Sequence, residues 1–300
     1  MSGRRAKTFL RRIGVRSYVD LATIDEATLT YLSDLVKDVG KLRERAIAII
    51  KEQGRYEIRR ATELPITKKR LSTGVKGLDR LLGGGVEVGA VTEIVGEYGT
   101  GKTQLCHQLA VMAKLEGVGR VLYLDADGTF RPERIVSIAE ARGLGPEEAL
   151  ENTIYFRAVS SDQLLEAIYA SRTLAPNLKI GLVIVDSVTA LPQSELPGRE
   201  NFYRRRRKVR DIMFGLRKLA ESEMAVVVTN RVTSLLEAGE ARLVPVSGFI
   251  TGTFSSYRLF LRKGARGIKE VHLVFSPLHP SRRAYFRILE EGIVDATHAS

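Results

Sequence analysis

The chain has 300 residues, 44% of them apolar, which is enough for one sizeable core and a small second domain. A single cysteine, Cys106, excludes an intrachain disulfide framework or a CxxC zinc site, and no apolar run reaches the roughly 18 residues a membrane span needs. The 47 Lys and Arg outnumber the 35 Asp and Glu, a net charge of +12, which points either to a polyanionic partner such as nucleic acid or to the charge-rich surface of a thermophile protein.

The basic opening, MSGRRAKTFLRRIG, lacks the apolar centre of a secretory signal, so the expected location is cytoplasmic, in the nucleoid region, with no membrane partner. Residues 1–55 read as a small helical domain. TIDEATLTYLSDLV offers Thr23 or Asp25 as an N-cap before Leu29, Leu32 and Leu35, and VGKLRERAIAIIKEQG carries Leu42, Ala46, Ile49 and Ile50 towards a stop at Gly54. The charged stretch 56–72, interrupted by Pro65, is predicted to be a linker, and 73–300 a single core. There buried runs alternate with amphipathic helices: AVTEIVG, a helix over 102–116, GRVLYLDAD, a helix over 132–142, then KIGLVIVDS. Strand, helix and strand at that spacing predict an α/β domain with a mostly parallel sheet. The continuous apolarity of LVIVD and AVVVT predicts strands covered on both faces.

GEYGTGKT, Gly96 to Thr103, follows a strand, precedes a helix and fits the phosphate-loop pattern G-x-x-x-x-G-K-[ST]. Gly96, Gly99 and Gly101 allow backbone N–H groups to wrap a phosphate chain together with Glu97, Tyr98 and Thr100. Lys102 supplies a point charge and Thr103 a hydroxyl for Mg²⁺. A glycine-rich turn that only joins strand to helix would not require Lys-Thr at its end. Asp186, closing the run GLVIVD, is the second acid such a site needs to hold its metal, unless it merely caps the next helix. Asp125 and Asp127 end another strand one residue apart, so alternation allows both carboxylates to face one site.

The segments RLSTGVKGLDRLLGGGVEVGAVTEIVGEYGTGKTQLCHQLAV, YLDADGTFRPERI, IVDSVTAL, LPGRENFYRRRRKVRDIMFGLRKLAE and YRLFLRKG resemble, in order, successive motifs of the RecA-superfamily recombinases of the archaeal RadA and eukaryotic type. The likeness spans about residues 14–295 and points to a divergent RadA paralogue. It implies a RecA-like P-loop ATPase core behind a helix-hairpin-helix domain, with ATP and Mg²⁺ held between neighbouring subunits. It also implies that Asp127, where the family has glutamate, activates water with Lys102 as its catalytic cation, that Asp125 supports it or the metal, and that Gln104 and Arg134 lie at the nucleotide, Arg134 stacking on adenine. For DNA it implies a first loop at Arg199 and Arg205 and a second, glycine-mobile loop from Arg231 to Phe254 that includes Gly248.

Departures from the pattern matter as much. Aspartate is one methylene shorter than glutamate, and a base must come within about 2.6–3.2 Å of its water. Arg231 replaces a family amide and could itself touch a γ-phosphate or a DNA phosphate, against the alternative of a surface arginine; Phe249 replaces a histidine, and Phe275 an aspartate of the cap laid on a neighbour's ATP. Between Lys51 and Leu71 no Phe-x-x-Ala hook for the next subunit occurs; Tyr56 is the nearest substitute. Val39-Gly40-Lys41 is a remnant of a phosphate-binding hairpin, with Arg4, Arg5, Lys7, Arg11 and Arg12 as electrostatic compensation or a packing role instead. The run Arg204, Arg205, Arg206, Arg207, Lys208 and Arg210 suits DNA phosphates, against the alternative of a solvated basic face.

The expectation is therefore an ATP- and DNA-binding protein of homologous recombination and repair: a weak DNA-dependent ATPase that binds single-stranded DNA and assists a recombinase of its own family or associates with itself. A non-hydrolysing mediator subunit and an autonomous strand-exchange recombinase are the alternatives.

Overall fold

A computed structural model of the chain describes residues 10–11, 15, 17–22, 24, 26–52, 61–63, 68–237 and 240–296. Contacts divide the chain into two compact units, Met1–Thr67 and Lys68–Ser300. In the first, helices α1 (Tyr18–Ala22), α2 (Glu26–Leu35) and α3 (Val39–Glu52) enclose a small core of Leu10, Ile24, Leu32, Val36 and Val39. Ser17 and Asp20 cap α1 reciprocally: the Asp20 N–H donates to Ser17 Oγ at 3.1 Å and the Ser17 N–H to Asp20 Oδ2 at 2.8 Å. Val39, first residue of the hairpin remnant, is the buried start of α3. Arg4, Arg5, Lys7, Arg12, Thr23, Asp25 and Tyr56 lie outside the described residues.

The second unit begins before the expected boundary. Residues 70–71, assigned to the linker from their charge, form β1 (Arg70–Leu71), paired antiparallel with β2 (Val86–Glu87), and between them runs α4 (Lys76–Leu82). Leu71 is fully buried, and Arg70 is matched by Glu87 at 2.8 Å, so a charged strand is held by its ion pair.

The main sheet has nine strands in the order β13-β12-β11-β10-β3-β7-β6-β4-β5. Strands β3 (Val91–Gly96), β4 (Arg120–Asp125), β5 (Thr153–Arg157), β6 (Ile180–Asp186), β7 (Ala225–Asn230) and β10 (Tyr257–Lys263) run parallel. The last three, β11 (Lys269–Phe275), β12 (Arg282–Leu289) and β13 (Gly292–Asp295), add on antiparallel. Alternate residues of the continuous apolar runs enter different cores. Leu182 and Ile184 of β6 meet α5 (Lys102–Leu115), α6 (Pro132–Glu140) and α7 (Pro146–Glu151) on one face. Val183 and Val185 meet α8 (Ser161–Leu178), α9 (Ala190–Glu195) and α10 (Phe202–Ala220) on the other. This is the two-sided cover that continuous apolarity implies. It brings the C-terminal ends of β3, β4, β6 and β7 to one edge, where crossovers to either side leave a crevice.

The segment from Arg231 to Phe254 is not a loop. Its residues form an antiparallel hairpin, β8 (Val232–Glu237) and β9 (Glu240–Pro245), followed by α11 (Gly248–Phe254). Gly248 serves close packing there, since a Cβ on it would stand 3.0 Å from Pro245 Cβ. No helix among the described residues is long and apolar enough to cross a membrane.

Candidate functional site

The crevice at this edge encloses about 760 Å³ and is lined by Gly96, Glu97, Tyr98, Gly99, Gly101, Lys102, Thr103, Gln104, Asp127, Thr129, Arg131, Asp186, Arg231 and Val232. Chain geometry makes the loop over 96–101 a cradle. Gly99 and Gly101 have φ of 76° and 102°, a region hostile to side chains, and a Cβ on Gly96 would sit 2.7 Å from the Leu261 carbonyl oxygen. Thr100 is the exception among the expected phosphate-loop contacts. It is buried, does not line the crevice, and braces the loop by donating to the Glu97 carbonyl at 2.8 Å.

Lys102 Nζ donates to the carbonyls of Gly96 and Glu97 at 2.9 Å each, and burial lowers its pKa against the raising influence of Asp186. Asp186 is almost fully buried. It accepts from Thr103 Oγ1 at 2.7 Å, Tyr123 Oη at 3.2 Å, Thr129 Oγ1 at 3.4 Å and Thr229 Oγ1. The acid is thus aimed at the hydroxyl that would carry the cation, by neighbours no motif identifies: Tyr123, Thr129 and Thr229. The positive-φ cradle, the lysine and the hydroxyl–carboxylate pair fit a phosphate chain with Mg²⁺, which Thr103 and Asp186 would hold.

Asp125 and Asp127 do not face one site. β4 ends at Asp125, so strand alternation stops there and the two carboxylates part. Asp125 Oδ1 accepts the backbone N–H groups of Asp127, Gly128 and Thr129 at 3.1, 2.6 and 3.3 Å, and Oδ2 accepts that of Phe130 at 3.2 Å and Tyr155 Oη at 3.2 Å. It folds the turn that presents Asp127, and it is buried and does not line the crevice. Asp127 Oδ1 accepts from an Arg231 guanidinium nitrogen at 2.6 Å. Burial raises the Asp127 pKa, with Asp186 adding to the rise and Arg231 opposing it. Arg231, expected at a DNA phosphate or a γ-phosphate, is therefore brought into this crevice.

Arg134 does not line the crevice. Its Nε donates to Gln104 Oε1 at 2.6 Å, and its other nitrogens donate to the carbonyls of Leu289, at 2.6 Å, and of Glu290. Gln104 reaches the crevice and Arg134 anchors it to the turn after β12, while Arg131 itself lines the crevice.

The basic run occupies α10, whose Val209, Ile212, Met213, Leu216 and Leu219 are buried. The arginines are not equivalent. Lys208 pairs with Asp162 at 2.9 Å and Glu195 at 3.2 Å, and Arg210 pairs with Asp211 at 3.1 Å. Arg205 donates to the carbonyls of Leu196 and Gly198 at 2.5 Å each and shapes the preceding turn. Arg199, Arg204, Arg206 and Arg207 have no carboxylate partner among the described residues, so the unpaired charge of this run and of the turn before it reduces to these four.

A family model described as Rad51 matches residues 67–296, which takes in the crevice, α10 and the whole sheet. The chain belongs to the Rad51 family. Similar proteins from three eukaryotes agree. The DNA repair protein RAD51 of Saccharomyces cerevisiae is 40% identical over 235 residues, 75% of this chain and 59% of that protein. The DNA repair protein RAD51 of Mycosarcoma maydis is 36% identical over 289 residues, 91% of this chain and 85% of that protein. The Drosophila melanogaster DNA repair protein Rad51 homolog is 41% identical over 236 residues, 76% of this chain and 70% of that protein. The chain thus covers less than two thirds of the yeast relative's length. The match to the Rad51 family takes in the phosphate loop and the sheet edge, and the Asp127–Arg231 pair joins two positions at which the resemblance implies a glutamate and an amide.

Proposed function

We propose that this Rad51-family chain is a divergent RadA-type paralogue: an ATP- and DNA-binding protein of homologous recombination and repair that hydrolyses ATP weakly under stimulation by single-stranded DNA and assists a recombinase of its own kind. The observation that carries this reading is the convergence of Lys102, Thr103, Asp186 and Asp127 on one crevice at the edge of the parallel sheet. Lys102 and the loop amides would hold the outer phosphates in line, and Thr103 would be kept on its metal by the buried Asp186. Mg²⁺ there would neutralise charge developing on the phosphates. Asp127 would take the proton of the attacking water, which requires its carboxylate to be released from Arg231.

That requirement favours a second reading, a mediator subunit that holds ATP as a structural ligand. A carboxylate already accepting a charge-assisted bond at 2.6 Å is a poor base. Steady-state ATP hydrolysis with and without single-stranded DNA, beside a Lys102→Ala control, separates the two. DNA-stimulated turnover that disappears in the control supports the enzyme, whereas tight nucleotide binding without turnover supports the mediator.

A further inference from the structure

Phe202 and Tyr203 open α10 with their rings in the open. Phe202 is 47% exposed and Tyr203 81%, and the rings meet edge to face at 5.5 Å. Neither belongs to a hydrophobic core cluster, although the same helix buries its apolar face six residues after Tyr203, from Val209 on. Lone exposed aromatics need no explanation. These two are distinguished by their surroundings: the Arg206 guanidinium lies over the Phe202 ring at 5.2 Å, and Arg204 and Arg207 are exposed on the same turns without a carboxylate partner among the described residues. Of the nearby acids, Asp162, Glu195 and Asp211 are occupied by Lys208 and Arg210, and Glu200 accepts from Asn201 Nδ2 at 3.5 Å.

We infer that Phe202 and Tyr203 form a stacking platform for the bases of single-stranded DNA, with Arg204 and Arg207 gripping the flanking phosphates. The inference rests on the proposed DNA binding and deepens it. Arg206 covers the face of Phe202 and fixes it, which leaves the Tyr203 ring as the open surface for a base. Bases in a duplex have both faces covered by their neighbours, so only an unstacked strand offers a π-face to such a ring. Phosphate contacts do not discriminate in this way. The aromatic pair therefore supplies the preference for single strands, and the arginines supply affinity common to both forms.

The test compares the full chain with Tyr203→Leu, Phe202→Leu, Tyr203→Phe and Arg204→Gln/Arg207→Gln variants, each first shown by circular dichroism to melt like the parent. Anisotropy is measured on a labelled oligo-dT and on a duplex of equal length, and 2-aminopurine emission from a substituted oligo-dT reports stacking directly, undisturbed in a chain with no tryptophan. Tyr203→Leu is expected to weaken single-strand binding about tenfold, leave duplex binding unchanged and abolish the 2-aminopurine response, with Tyr203→Phe retaining all three properties. Arg204→Gln/Arg207→Gln is expected to weaken both forms alike. Single-strand affinity unchanged in Tyr203→Leu and Phe202→Leu while the arginine variant weakens binding overturns the inference and leaves the DNA-binding reading standing. No loss in the arginine variant overturns that reading and the inference with it. Equal loss on both DNA forms in Tyr203→Leu, or a change in sedimentation coefficient without a change in DNA affinity, assigns the rings to arginine placement or to a protein contact and also overturns it.

Discussion

Asp127 and Arg231, where the resemblance implies a glutamate and an amide, meet at 2.6 Å. Shortening a glutamate to an aspartate withdraws the carboxylate, and replacing an amide by a guanidinium reaches out to meet it. Because Arg231 is 53% exposed at its side chain, water weakens the pair, and its hold on the base is about 0.7–1.4 kcal/mol. Arg231→Gln should then raise DNA-stimulated turnover about three- to tenfold at alkaline pH, where Asp127 is fully ionised. The sign with pH is fixed by the same contact. Burial raises the Asp127 pKa and Arg231 holds the rise in check, so turnover of the parent should fall off at a pH above the ordinary carboxylate range. Removing the arginine should move that fall further up. A pH–rate profile of the two proteins decides the matter: unchanged turnover with loss of ATP affinity would instead make Arg231 a phosphate ligand. Asp127→Glu tests reach separately and should increase turnover if one methylene is what the base lacks.

At the scale of elements, the parallel strands and the phosphate loop were legible because each carries a local signature: an unbroken apolar run for a strand covered twice, and glycines before Lys-Thr for the cradle. The hairpin β8–β9 was not, since its alternation is diluted by Ser234, Glu237 and Arg242 and its partner is another segment rather than the sheet. Residues 70–71 were lost to the linker because an ion pair with Glu87, invisible in sequence, offsets their charge. Nor did the sequence single out the layer beneath the Asp125 turn, where Phe130 packs against His107, Tyr123 and Tyr155 at 5.4, 4.8 and 4.7 Å. There His107 Nε2 accepts the Arg131 N–H at 3.2 Å, so the neutral ring carries its proton on Nδ1, which is buried without a hydrogen-bond partner among the described residues. Burial lowers its pKa to about 4. The unfolded chain takes up a proton near pH 6.5 and the folded chain does not, so stability is complete above pH 6.5 and declines as pH falls towards 4, by about 3 kcal/mol in all. His107→Phe should flatten this part of the pH dependence of denaturant midpoints between pH 7 and 4. A slope as steep as that of the parent would show that other groups carry the acid sensitivity.

At the scale of the molecule, the net charge of +12 was open to two explanations, a nucleic-acid surface or a solvated charge-rich exterior. The two differ in how many cations act together. On α10 and in the turn before it, the carboxylates remove Lys208 and Arg210 from consideration and the turn carbonyls remove Arg205, leaving Arg199, Arg204, Arg206 and Arg207. Each phosphate neutralised on a single strand contributes about −0.7 to the slope of log K against log salt, so these four should give about −3. Engagement of the whole charge excess would give about −8 on the same scale. Oligo-dT affinity measured from 50 to 300 mM KCl tells these apart, and Arg204→Gln/Arg207→Gln should make the slope shallower by about 1.4. A slope near −3 that responds to these substitutions confines the contact to one helix face. A steeper slope that the double substitution barely changes would place most of the phosphate contacts elsewhere on the chain. A slope near zero would mean that the charge excess solvates the surface, and the arginines of α10 would then have no nucleic acid to hold.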